Sequence, residues 1–147
     1  MRVIVQRSLN SYVSVNNNIV GSVDKGLVLL VGFTDGDNID IIDKVVNKII
    51  NLRIFDDELG VMNKSILDIN GSILSISQFT LYGNIKKGNR PSYIKAMKSS
   101  EAINYYNIFN DKLKKYLRVE TGIFGSDMKV SITNDGPVTI IIESEDL

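Results

Sequence analysis

The chain has 147 residues, 44% of them apolar and 23% charged, with seventeen basic residues against seventeen acidic ones. It has no His, Cys or Trp. Those zeros exclude a Ser-His-Asp or Cys-His centre, a zinc site of the usual thiolate or imidazole kind, and any disulfide scaffold. A chain of this length suits one domain, 1–147, that buries roughly 70% of its unfolded surface.

Arg2 to Gln6 is a short β-rich run, too poor in apolar residues for a signal-peptide core. Ser11 to Val15 alternates, Asn16-Asn17-Asn18 suits a turn, and Ile19 to Val23 returns as a hairpin partner. Gly26 to Phe33 (GLVLLVGF) reads as a buried central strand, far shorter than the ~20 residues of a membrane helix. Asp35 to Asn38 offers helix caps, and Ile42, Val45, Val46, Ile49 and Ile50 then recur at helical spacing. Asp56-Asp57-Glu58 is expected to be a solvated turn.

Ser72 to Leu81 (SILSISQFTL) reads as a buried strand with a polar end. Asn84 to Ser92 is a basic loop in which Lys86, Lys87 and Arg90 suit phosphate contacts. A second helix is predicted from about Ser100 to Leu117. It carries an apolar stripe of Ala102, Tyr106, Phe109, Leu113, Tyr116 and Leu117, and lysines in its last turns. Two strands, Met128 to Thr133 and Val138 to Ile142, flank a turn at Asn134-Asp135-Gly136-Pro137. The sum is a mixed α/β fold whose antiparallel-rich, barrel-like sheet core is covered by two main helices. The expected location is the cytoplasm. Zero net charge argues against extensive duplex DNA binding and permits a small footprint on one single-stranded end.

Two segments concentrate unusual chemistry. Ser77-Gln78-Phe79-Thr80-Leu81 puts hydroxyls and a carboxamide at a strand end, and Asn134-Asp135-Gly136-Pro137-Val138-Thr139 holds one of only two prolines. As a pair they resemble the two signature motifs of the D-aminoacyl-tRNA deacylases. The likeness runs over nearly the whole chain, through Gln6-Arg7, Leu52-Arg53-Ile54-Phe55, Met62-Asn63, Gly88 to Ser92 and Gly122 to Met128. Ser8, where an apolar residue is usual, and Ser126, where Ala is usual, depart from the family pattern.

The resemblance implies an ester hydrolase that frees D-amino acids from tRNA and spares L-aminoacyl-tRNA. Glycine mischarged on alanine tRNA should enter the same pocket. No cofactor is expected, and the residues form no recognisable metal site. The resemblance also implies a homodimer with active sites at the interface, where a cis Gly136-Pro137 of one subunit enters the pocket of the other. Ser77, Gln78, Phe79 and Thr80 would form the catalytic segment, with backbone N–H groups around Phe79 and Thr80 as oxyanion donors. Gly136 and Pro137, with Asn134 and Thr139 in the same motif, would select chirality by excluding an L side chain, and Arg7 would orient them. Two alternatives remain open here: a related deacylase of relaxed stereospecificity with a trans Gly-Pro bond, and a noncatalytic module that binds the tRNA end.

Overall fold

A computed structural model describes residues 1–147. The elements follow in chain order: β1 (Arg2–Ser8), β2 (Ser11–Val15), β3 (Asn18–Val23), β4 (Gly26–Gly32), α1 (Ile39–Asn51), β5 (Phe55–Asp56), β6 (Met62–Lys64), β7 (Ser72–Ser77), a 3-10 turn (Phe79–Tyr82), α2 (Ser99–Leu113), β8 (Val119–Thr121), β9 (Lys129–Ser131) and β10 (Asn134–Glu143). A short 3-10 turn at Ser144–Asp146 ends the chain. No helix is long and apolar enough to cross a membrane.

The strands make a five-stranded sheet in the order β10-β1-β4-β7-β8, a three-stranded sheet β3-β2-β9, and the β5-β6 ribbon. Only β4-β7 and β7-β8 pair in parallel; the other pairings are antiparallel. The sequence pattern explains the layering. Leu27, Leu29, Val31 and Ile73 point to the helix side of the large sheet, while Val28, Leu74 and Ile76 point to the small sheet. Both faces are therefore covered, which is why β4 reads as a continuous apolar run rather than an alternating one.

Helix α1 buries the five residues its period picks out, Ile42, Val45, Val46, Ile49 and Ile50. Its cap is Asn38, whose side-chain oxygen accepts the Ile41 N–H at 3.0 Å. The Asn turn also forms as expected: Asn16 and Asn17 hold φ of 49° and 65°, a region that Asn tolerates better than most residues.

Three expectations need correction. Helix α2 stops at Leu113, and Tyr116 lies exposed beyond it. The chain turns there because Arg118 must reach the sheet, where its carbonyl accepts the Ile73 N–H at 3.0 Å as β8 begins. Strand β7 ends at Ser77, so the alternation of faces does not extend through Gln78, Phe79 and Thr80. The Gln78 N–H still bonds the Val31 carbonyl at 2.7 Å, after which the backbone coils into the 3-10 turn above Gly32. Finally, Asn134 to Pro137 is not a turn between strands but the first part of β10. Because β10 is an edge strand, Pro137 can lack an N–H without breaking an inner ladder.

Candidate active site

The carboxyl ends of the parallel strands β4 and β7 open into a cavity of about 420 Å³. This is where α/β sheets usually admit ligands, because the strands end together and the loops diverge. Val31 and Ile76 form its floor, and Ser77, Gln78 and Phe79 form one rim. Phe124 and Gly125 to Met128 form the facing wall.

The 3-10 turn organises the rim. In such a turn the first N–H groups have no partner within the turn, and neither the Phe79 nor the Thr80 N–H bonds a backbone carbonyl elsewhere. Thr80 is exposed and does not line the cavity. Its hydroxyl accepts a hydrogen bond from the Gln78 carboxamide. Phe79 is 57% exposed and packs edge-on to Tyr93, with ring centroids 5.0 Å apart. An exposed aromatic pair at a cavity mouth is an available apolar surface for a flat ligand.

The opposite wall is tied to the same strand from behind. The Tyr106 hydroxyl donates to the Ser75 carbonyl at 2.7 Å, and its ring lies 5.8 Å from that of Phe124. Burial pushes the Tyr106 phenol above its ordinary value, so it remains a donor throughout the working pH range.

The second motif lies elsewhere. The Gly136–Pro137 bond is cis, and both residues are exposed on β10. Arg7, itself buried, holds the segment. Its Nε is 3.2 Å from both the Asp135 carbonyl and the Asp135 carboxylate. Its Nη1 donates to the Ile54 carbonyl at 2.8 Å and to Asp56 Oδ1 at 3.3 Å. Gly136 has φ of +119°, and a Cβ there would stand 2.8 Å from Val138 Cγ2 and 3.3 Å from Arg7 Nη2. Only glycine suits that place. Asn134 and Thr139 are exposed on the same strand, opposite Ser8 and Gln6 of β1.

Sequence reasoning assigned no role to Asp56 or Asp135, the two carboxylates on Arg7. Asp56 belongs to the run expected to be a solvated turn. Its neighbour Asp57 does fit that description: the N–H groups of Val61 and Leu59 hold its carboxyl below the usual range. Lys86, Lys87 and Arg90 are exposed on the loop after the 3-10 turn, and none of them is in an ion pair.

The sheet register measures how far apart the motifs lie in one chain. Gly136 and Pro137 lie near the level of Arg7, which pairs with Leu27, itself level with Ile73; Ser77 is four residues further along, across three strand spacings. That diagonal is roughly 20 Å. One copy of the chain does not bring its two motifs together.

The family model for D-Tyr-tRNA(Tyr) deacylase matches residues 4–143. The chain belongs to that family. A D-aminoacyl-tRNA deacylase of Geobacillus sp. (strain WCH70) is 52% identical over 147 residues, covering 99% of this chain and 97% of that protein. One from Flavobacterium psychrophilum (strain ATCC 49511 / DSM 21280 / CIP 103535 / JIP02/86) is 54% identical over 147 residues, covering 99% and 98%. Among solved structures, a c-Myc DNA unwinding element binding protein superposes with a TM-score of 0.92 at 39% identity, over 97% of this chain and 98% of the other. A probable eukaryotic D-amino acid tRNA deacylase superposes at 0.82 with 18% identity, over 96% and 97%, a likeness of fold. This D-Tyr-tRNA(Tyr) deacylase family member therefore carries both signature segments on a mixed α/β fold with two helices.

Proposed function

We propose that the chain hydrolyses the ester between a D-amino acid and the terminal adenosine of tRNA, working in the cytoplasm as a homodimer built from one domain per subunit. Family membership over residues 4–143 carries the reaction class, a deacylase that cleaves an ester. The separation of the motifs, roughly 20 Å by strand spacing, supports the dimer. A second copy can bring its Gly136-Pro137 to the cavity rim that the first copy's own segment does not reach. The edge strand suits this, since Pro137, Thr139 and Ile141 are exposed along it and Ile141 is 63% accessible.

In this reading the ester carbonyl sits above the 3-10 turn. The free N–H groups of Phe79 and Thr80 receive the oxyanion as water adds to the carbonyl carbon. Collapse of the tetrahedral intermediate breaks the bond to the ribose oxygen, which takes a proton and leaves as the hydroxyl of free tRNA. The partner copy's Gly136 and Pro137 carbonyls hold the α-ammonium and close the space that an L side chain would need. Glycine carries no side chain to exclude, so glycine on alanine tRNA is hydrolysed as well. The deciding test uses matched D- and L-tyrosyl-tRNA with the purified chain. Release of the D form alone is expected. Equal release of both, or full activity from a species that light scattering shows to be monomeric, would defeat this reading.

Lys86, Lys87 and Arg90 bind phosphates in the same picture. Replacing all three with Ala should raise KM and leave kcat unchanged. With about three fewer phosphates neutralised on a single strand, the slope of log affinity against log salt should flatten by about 2. An unchanged salt slope would remove the loop from the tRNA footprint.

A further inference from the structure

We propose that Arg2 is a positioning residue for the catalytic turn, gripping it from the side away from the cavity. The inference rests on the reading of Phe79–Tyr82 as that turn. Arg2 Nη1 donates to the Leu81 carbonyl at 2.5 Å, one residue after Thr80. Its Nε donates to Glu143 at the end of β10. Its guanidinium carbon stands 5.2 Å from the centre of the Tyr82 ring, over its face. One planar group therefore touches two consecutive residues of a four-residue turn and is itself held by a carboxylate.

The turn needs such a hold. A 3-10 segment this short has few hydrogen bonds of its own: the Gly83 N–H closes its far end on the Thr80 carbonyl at 2.9 Å, but at its start the Leu81 N–H reaches the Gln78 carbonyl at only 3.3 Å. Its floor is Gly32, which pairs with Arg2 across β1 and β4. A Cβ at position 32 would stand 3.0 Å from the Gln78 carbonyl oxygen, 3.2 Å from Leu81 Cβ and 3.4 Å from the Tyr82 ring. The bare floor and the guanidinium fork thus fix the height and the lateral position of the turn. The direction in which the Phe79 and Thr80 N–H groups point follows from both. Arg2, Tyr82 and Glu143 line a groove that also holds Lys86, and none of the three lines the cavity, so Arg2 acts on the reacting ester only through the backbone it holds. The Arg2 side chain is also 35% accessible, so removing it leaves the main packing intact. Lysine could keep the charge opposite Glu143 but has no planar fork to bond both partners.

The test compares wild type, Arg2→Lys, Arg2→Met and Gly32→Ala as full chains. It reads single-turnover release from D-tyrosyl-tRNA, KM and melting temperature. Displacing oxyanion donors by a fraction of an ångström to an ångström should slow the chemical step roughly 10- to 100-fold in both Arg2 variants. KM should change much less than the rate, because Val31, Ile76 and the facing wall from Phe124 to Met128 keep their places while only the rim at Phe79 shifts. Gly32→Ala, which presses on the turn from below, should show the same split. A wild-type rate in Arg2→Lys would overturn the proposal, as would a rate that falls only in step with the folded fraction. If Arg2→Met does not fold, Arg2→Lys carries the decision. If wild type itself leaves D-tyrosyl-tRNA intact, it is the functional reading that fails.

Discussion

Arg7→Ala should lower both stability and activity, and by different mechanisms. The guanidinium is buried and bonds two backbone carbonyls and two carboxylates. Charge-assisted bonds of this kind contribute about 1.5–3 kcal/mol each where the partner stays buried. The side chains of Asp56 and Asp135 are 50% and 36% accessible, so both can rehydrate, and the full cost of breaking a buried pair does not apply. A net loss of about 2–3 kcal/mol follows, or roughly 5–10 °C in melting temperature for a chain of this size. The effect on turnover should be larger. Without Arg7 the Asp135 carbonyl loses its side-chain donor, and Gly136 loses the guanidinium that packs against it. In the dimer proposed above this segment is presented to the other subunit, so its displacement should reduce D-aminoacyl-tRNA hydrolysis about 100-fold. Arg7→Lys separates the two effects. It should recover part of the melting temperature and little of the turnover, because an ammonium cannot bond Ile54, Asp56 and Asp135 from one rigid plane. Full activity in Arg7→Lys would show that charge alone suffices at this position.

Side chains that follow one strong local rule were legible in the sequence. The period of α1 singled out its buried face residue by residue, and Asn16-Asn17 announced its turn. Features set by non-local contact were not. Nothing near Ser77 marks the end of β7, because the cause is Gly32, which lies 45 positions earlier and offers no side chain to keep the Gln78–Tyr82 segment away. The Gly-Pro segment looked like a turn because Gly and Pro are turn formers everywhere. Only an edge position in a sheet lets them begin a strand. One departure from the family pattern also gains a physical meaning. Ser8 is fully buried, and its hydroxyl has no hydrogen-bond partner, which is why an apolar residue would serve as well or better there. The two signature segments stood out in the sequence as motifs, while the distance between them, roughly 20 Å by strand spacing, became visible only through the register of four strands.

The substrate's own hydroxyl should matter more to the reaction than Thr80. The Thr80 hydroxyl meets the Gln78 carboxamide, and a carboxamide takes no proton at neutral pH whichever of its ends faces the threonine. The chain has no imidazole to serve instead. A serine- or threonine-type nucleophile needs such a base, and without one its attack is slow. An aminoacyl ester is already activated and carries a vicinal ribose hydroxyl within reach of its carbonyl. In the proposed mechanism, positioned water, two backbone donors and that hydroxyl together supply what the side chains do not. Thr80→Ala should therefore retain turnover to within a few-fold of wild type, its main loss being the anchor for Gln78. A tRNA ending in 2′-deoxyadenosine should be hydrolysed about 100-fold more slowly or worse, the scale on which proton-transfer assistance contributes. The two measurements belong in one single-turnover assay, with D-tyrosyl esters on both tRNAs. If Thr80→Ala abolishes release and the deoxy substrate reacts normally, the hydroxyl of Thr80 is the nucleophile, and another group must be found to accept its proton.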